Sequence, residues 1–168
     1  MPEVKLIVHN DSQVLERSIL KGEITVGNQT VVQPYASLLA TNGPIIIGEK
    51  NIIEEFVTIE NLNENGEPLI IGDKNTFEIQ STFRGKSVGN QNLFSVRSTV
   101  GKNTIVTDSC CIGIKCNVPE GEVLQPQTVV YGENSARRTV CEKGQNTEDE
   151  LDFLLKMFPK YHKSLKNI

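Results

Sequence analysis

Three groups of side chains in this sequence have the chemistry for catalysis or metal binding. The first is histidine, the usual general base near neutral pH and a frequent metal ligand, of which the chain has two, His9 and His162. A catalytic zinc held by imidazoles takes three of them and leaves one position open to water, so two residues at opposite ends of the chain fall short of that set. Both read as exposed, since His9 opens the first unit of the pattern described below and His162 follows a helix-breaking proline. The second group is Cys110, Cys111 and Cys116. Their spacing matches no paired C-x-x-C zinc pattern, and the step from Cys110 to Cys116 suits two small apolar fillers of a narrow core. Cys141 stands apart in a polar stretch. The third group, Glu54 and Glu55, reads as a solvated corner rather than a catalytic carboxylate pair. No acid, base, nucleophile or ligand set comes together, and the expectation is a protein that recognises rather than transforms.

The elements that carry these residues follow a six-residue rule. Val88, Phe94, Val100, Val106, Ile112, Val118, Leu124 and Val130 fall in strict register. The position four residues later reads Asn92, Ser98, Thr104, Cys110, Cys116, Glu122, Thr128 and Asn134, mostly small or turn-tolerant. That pairing is the hexapeptide signature of a parallel β-helix. A strand alone has a period of two. A short strand plus a corner lengthens the unit to six, and three such units close a triangular coil. The aliphatic residue points into the prism, and a second inward position near the corner admits only a small side chain. Coils stack at about 4.8 Å and bond through their backbones, so each is stable only between neighbours.

The same register appears earlier, at Val8, Val14, Leu20, Val26, Val32 and Leu38, with small positions at Ser12, Ser18, Thr30 and Ala36. Ile24 is larger than a corner should admit and marks an imperfect unit. The phase shifts across Thr41 to Pro44, read as a small corner loop, and resumes at Ile47, Ile53 and Ile59 and again at Ile71, Phe77 and Phe83. The surplus residues fall in Glu60 to Leu69, where Asn61, Asn63, Glu64, Asn65, Gly66, Glu67 and Pro68 predict a projecting polar loop. The shorter step from Phe83 to Val88 predicts a tightened corner at Arg84-Gly85-Lys86. Gly27, Gly48, Gly72, Gly89, Gly101 and Gly113, with Asn51, Asn75 and Asn92, recur where corners are expected to demand positive φ. Between six and seven coils follow, a prism of roughly 30 Å.

The register ends near Ser135, which divides the chain into a β-helix over 1–136, a polar connector over 137–146 that begins with Arg137-Arg138, and a helix with its tail over 147–168. Thr147-Glu148-Asp149-Glu150 reads as a capping box with acidic residues in the first turn. Leu151, Leu154, Leu155 and Phe158 recur at helical spacing and form one apolar stripe. Lys156, Lys160, Lys163 and Lys166 suit the C-terminal end, and Pro159 is expected to kink or stop the helix near Phe158. The stripe needs cover. Either it packs along an outer face of its own prism or another subunit receives part of it, which makes Leu151, Leu154, Leu155 and Phe158 the candidate partner-binding residues.

Composition narrows the classes further. The chain has 168 residues, enough for one domain with a sizeable core, and only 5% aromatic residues with no tryptophan, which fits a narrow prism. A net charge of −4 offers no footprint for nucleic acid, and no apolar run reaches the length of a membrane span. Met1 to Val8 has neither a basic segment nor a long apolar one, so a cytosolic address with reduced cysteines is the default expectation. No cofactor, metal or small-molecule substrate is expected.

Beyond the generic repeat, the run Gly43-Pro44-Ile45-Ile46-Ile47-Gly48-Glu49-Lys50-Asn51-Ile52-Ile53-Glu54-Glu55, the later Ile70-Ile71-Gly72-Asp73-Lys74-Asn75-Thr76-Phe77-Glu78, the segment Val129-Val130-Tyr131-Gly132 with Arg137-Arg138, and the tail from Leu151 to His162 together resemble the dynactin subunit 6 family. The similarity covers most of residues 20 to 166. It implies a mainly β protein, a single-stranded left-handed parallel β-helix of hexapeptide repeats with a C-terminal α-helix; the usual right-handed crossover preference would suggest the opposite hand. It further implies a non-catalytic subunit of dynactin, sited at the pointed end of the actin-related filament, paired with dynactin subunit 5 and beside the pointed-end actin-related protein and the zinc-binding dynactin subunit 4. Dynactin activates cytoplasmic dynein, and its pointed-end group helps to cap the filament and engage cargo adaptors. The chain departs from the family in a shorter loop at Glu60 to Leu69 and a short tail. It has no Ser-Pro or Thr-Pro pair, so regulation by a proline-directed kinase does not carry over. The alternative for this fold is a homotrimeric acyltransferase-like or γ-carbonic-anhydrase-like enzyme.

Overall fold

The computed structural model describes residues 3–140 and 147–167. Cys141 and the remainder of the expected connector, 141–146, lie outside the described residues. Strands of two to four residues follow one another around three sheets of seven, nine and six strands. The first sheet runs from Lys5–Val8 to Val123–Leu124, the third from Ile19–Lys21 to Asn117–Val118, and the second lies between them in each coil. Each strand pairs in parallel with its equivalent in the next coil, as Phe77 with Phe94 and Phe83 with Val100. This is a left-handed parallel β-helix of about seven turns with one C-terminal helix.

All eight aliphatic or aromatic positions from Val88 to Val130 are buried. Phe77 and Phe94 stack face to face at 4.4 Å, and Phe83 meets both edge-on from the third sheet. Ile24 is no flaw. Leu6, Ile24, Ile45 and Leu69 pair in register down the first sheet, and all are fully buried. Strands of three or four residues there carry two inward side chains, at i and i+2. The inserted corners before Ile45 and Leu69 feed these longer strands, so the prism is wider on this side than a strict hexapeptide would make it.

The corner residues play roles other than those expected. Asn51, Asn75 and Asn92 do not supply positive φ; the residues before them do, Lys50, Lys74 and Gln91. The asparagines are buried and bond coil to coil. The Oδ1 of Asn51 accepts from Asn75 N, that of Asn75 from Asn92 N, and that of Asn92 from Cys110 N. Their Nδ2 groups donate to the carbonyls of Gly72, Gly89 and Thr107. Ser12 and Thr30 begin the same ladder, and the Cys110 thiol continues it by donating to Gln125 O at 3.3 Å. Gly27, Gly48 and Gly72 also have negative φ. A Cβ at Gly48 would stand 2.7 Å from Gly72 O, and one at Gly27 would stand 2.6 Å from Gly48 O; close stacking, not backbone sign, requires glycine.

The loop at 61–68 projects only in part. Asn61 and Asn63 are buried and tie its base, Asn61 Nδ2 donating to Pro44 O and Glu67 O at 2.9 Å each. Glu64–Gly66 forms a short 3-10 turn at the exposed tip, and Leu69 is already a core strand residue.

Two strands cross the expected boundaries. Ala136–Thr139 is not connector but pairs antiparallel with Thr128–Tyr131, and Arg137 clamps Glu122 with two bonds of 2.7 Å. Ser164–Leu165 pairs antiparallel with Gln13–Leu15 at the opposite end. The nine-stranded second sheet is thus closed by a reversed strand at both ends.

Candidate interaction surfaces

With the interior filled, the three outer faces are what the molecule offers to others. The helix Glu148–Tyr161 lies along the second sheet. Leu151, Leu154 and Phe158 are buried against outward-facing Leu15, Val31 and Ile52, with Leu155 half-buried beside them. The stripe therefore packs on its own prism, and three of the four candidate partner-binding side chains have no free surface. At about 1.5–3 kcal/mol for each fully buried large apolar side chain, this contact fixes the helix. Thr147 makes no side-chain cap, so the expected capping box is not formed; Glu148, 3.9 Å from both Lys50 and Lys74, ties the first turn to the prism instead. Pro159 does not stop the helix at Phe158; the helix continues to Tyr161. Proline removes the amide that would bond Leu155 O. Gln13 Nε2 reaches that carbonyl from the first coil at 3.4 Å, and His162 N closes the last turn on Phe158 O.

Glu54 is not the solvated corner expected. It is half-buried just after the second-sheet strand Ile52–Ile53, where burial, Glu78, Glu150 and Glu55 push its carboxyl up to about 7 against the bond from Ile79 N. Glu78 is raised by the same burial and by Glu150. The three carboxylates crowd the seam between helix and sheet.

The histidines do not converge. His9 sits at the corner entering the second sheet, its Nδ1 accepting from Asp11 N, while His162 lies at the other side of that sheet, 3.8 Å from Glu16 and against Phe158. Burial raises the thiols of Cys110 and Cys111, the reverse of what an activated thiolate needs. Among the described residues no group of three or more His, Cys, Asp or Glu could hold a metal ion.

The other two faces are bare and unlike. Outward positions of the third sheet read Ser37, Thr58, Thr82, Thr99 and Asn117 in register below Ile19. Those of the first sheet read Ile7, Thr25, Ile46, Ile70, Ser87, Ile105 and Val123, again in register from end to end. Ile46 is 40% and Ile70 51% exposed. The hexapeptide reading looked only at inward positions. The signal was present in the residue just before the inward aliphatic of every third unit.

No family model matches the chain. Among solved structures, a hexapeptide transferase family protein from Anaplasma phagocytophilum superposes with a TM-score of 0.71 over 93% of this chain and 88% of that one, at 14% identity. That likeness is one of fold, and it defines the class: a hexapeptide-repeat left-handed β-helix. A dynactin subunit 6 from Nematostella vectensis is 38% identical over 172 residues, 97% of this chain and 94% of the relative, and one from Xenopus tropicalis is 41% identical over 167 residues, 92% and 83% respectively. The chain belongs to the dynactin subunit 6 family. A carbonic anhydrase from Methanosarcina thermophila is 29% identical over 120 residues, 66% of this chain and 47% of that enzyme.

Proposed function

We propose that the protein is a non-catalytic structural subunit of the dynactin complex, working in the cytoplasm on the cytoskeleton as part of the pointed-end group that supports dynein-based transport and cargo engagement. In this role it pairs with dynactin subunit 5, itself a hexapeptide β-helix, beside the pointed-end actin-related protein and dynactin subunit 4. The observation that carries the reading is kinship with dynactin subunits 6 along nearly the full length of both chains. The side chains agree with it. A carbonic-anhydrase-like zinc site takes three imidazoles, and the whole sequence has two, on opposite sides of one sheet. Co-expression with dynactin subunit 5 followed by size-exclusion chromatography tests the reading. A stable one-to-one complex is expected. A lone monomer that ignores this partner, or a tight homotrimer that transfers acyl groups or hydrates carbon dioxide, would overturn it.

A further inference from the structure

We infer that the bare face of the first sheet is where a second parallel β-helix docks, flat side against flat side. The inference rests on the pairing proposed above and names the surface that serves it. The face carries no charged residue in its central column from Ile7 to Val123. Beside the column, Gly27, Gly48, Gly72 and Gly89 stack closely, and the side chains of Asp73, Asn90 and Asp108 lie over Gly48, Gly72 and Gly89 and form a polar rim. The result is a largely apolar ridge, interrupted only by the uncharged Thr25 and Ser87, with a polar rim along one side.

The three sheet faces differ in apolar character, although Tyr35, Phe56, Ile79 and Ile114 are also exposed at the corner after the second sheet. Where the second sheet is apolar outside, the chain covers it with its own helix, and the third sheet presents hydroxyls and an amide. Exposed apolar columns of this extent on a folded surface mark docking sites.

Area and geometry select the occupant. Six steps of about 4.8 Å and a width of about five extended residues give a face of roughly 29 by 17 Å, near 500 Å² in projection. Side-chain relief raises this toward the roughly 800 Å² that each side of a standard interface buries, but only if the whole face is used. A single helix as long as Glu148–Tyr161, about 21 Å by 10 Å, would cover less than half of it. A partner with the same flat face and the same rung spacing covers all of it. End-on stacking of two prisms is the competing arrangement, and it meets an obstacle at both ends: the reversed strands Ser164–Leu165 and Ala136–Thr139 already occupy the terminal edges of the second sheet.

The test uses the full chain co-expressed with dynactin subunit 5. The double substitution Ile46→Glu with Ile70→Glu should weaken the complex about 100-fold or more, while Thr58→Glu with Thr82→Glu on the third sheet should leave it within about 3-fold. Far-ultraviolet circular dichroism checks that both variants are folded. Should the glutamates unfold the chain, Ile46→Cys with a short bifunctional maleimide takes their place and should cross-link to cysteines introduced on a sheet face of the partner. Binding by wild type and by the Ile46/Ile70 variant alike overturns the face, and a cross-linked homodimer that excludes the partner overturns the proposed occupant. Failure of the wild-type chain to bind at all overturns the pairing itself, so the two failures are told apart.

Discussion

Leu15, Val31 and Ile52 on the second sheet and Ile7, Ile46 and Ile70 on the first are the same kind of residue in the same kind of place, outward on the early coils of one prism. The first three are fully buried and the second three are 40 to 51% exposed. The difference is one helix. Leu151, Leu154 and Phe158 cover the second sheet, and no described element of the chain covers the first. Of these two apolar sheet faces, one is closed by the chain's own tail and the other stays open to a second molecule. The largest expected effect follows directly. Phe158→Ala should lower stability by about 3–4 kcal/mol, whereas Ile70→Ala, on the bare face, should change it by less than about 0.5 kcal/mol. Urea denaturation of the isolated chain measures both. Equal costs would mean that the two faces do not differ as described.

Covering a face also traps charge. Glu54, Glu78 and Glu150 meet at the helix seam, and Glu54 titrates near 7 because burial and its acidic neighbours oppose its ionisation. Its folded value lies above the ordinary carboxylate value, so the folded chain holds the proton more tightly than the unfolded one. Stability should therefore fall as pH rises from about 4.5 to 7 and level off above it. Glu54→Gln should flatten that slope and raise stability at pH 8 by about 1–2 kcal/mol, less than an unscreened shift would give because the group is only half-buried. Thermal melts of wild type and variant at pH 5 and pH 8 decide it. The bare first sheet has no charge in its column, and Ile46→Ser should leave the pH profile unchanged.

How much of this was legible in the sequence depends on which residues faced inward. The core from Val88 to Val130 was readable because one side chain per unit has nowhere else to go. The helix was readable because Leu151, Leu154, Leu155 and Phe158 keep a helical period. What escaped was set by neighbours one coil away. Asn51, Asn75 and Asn92 carry turn-prone side chains, and only the stack reveals that each amide bonds the coils on either side. Glu54 looks like a surface carboxylate until the helix is laid beside it. The Ile7-to-Val123 column spans about 116 residues of sequence, and its insertions at Thr41–Pro44 and 61–68 break the period that would have disclosed it. Ala136–Thr139 and Ser164–Leu165 are too short to read as strands by pattern; they form because open edges were waiting for them.

The smallest effect probes a polar tie between helix and prism that sequence reasoning had no means to find. Pro159 deprives Leu155 O of its intrahelical donor, and Gln13 Nε2 approaches that carbonyl at the long end of hydrogen-bond range. Gln13→Ala should cost only about 0.5–1 kcal/mol, and the cost should shrink in a Pro159→Ala background, where residue 159 regains an amide that can serve Leu155 O from within the helix. A double-mutant cycle in urea isolates the coupling. A Gln13→Ala cost that is the same in both backgrounds would show that Gln13 acts through packing alone, and that the helix holds the second sheet by its apolar stripe and Glu148 without help from the first coil's amide. Thr25, the outward residue of the first sheet in the adjacent coil, has no helix above it to serve, and Thr25→Ala should produce no such coupling with Pro159.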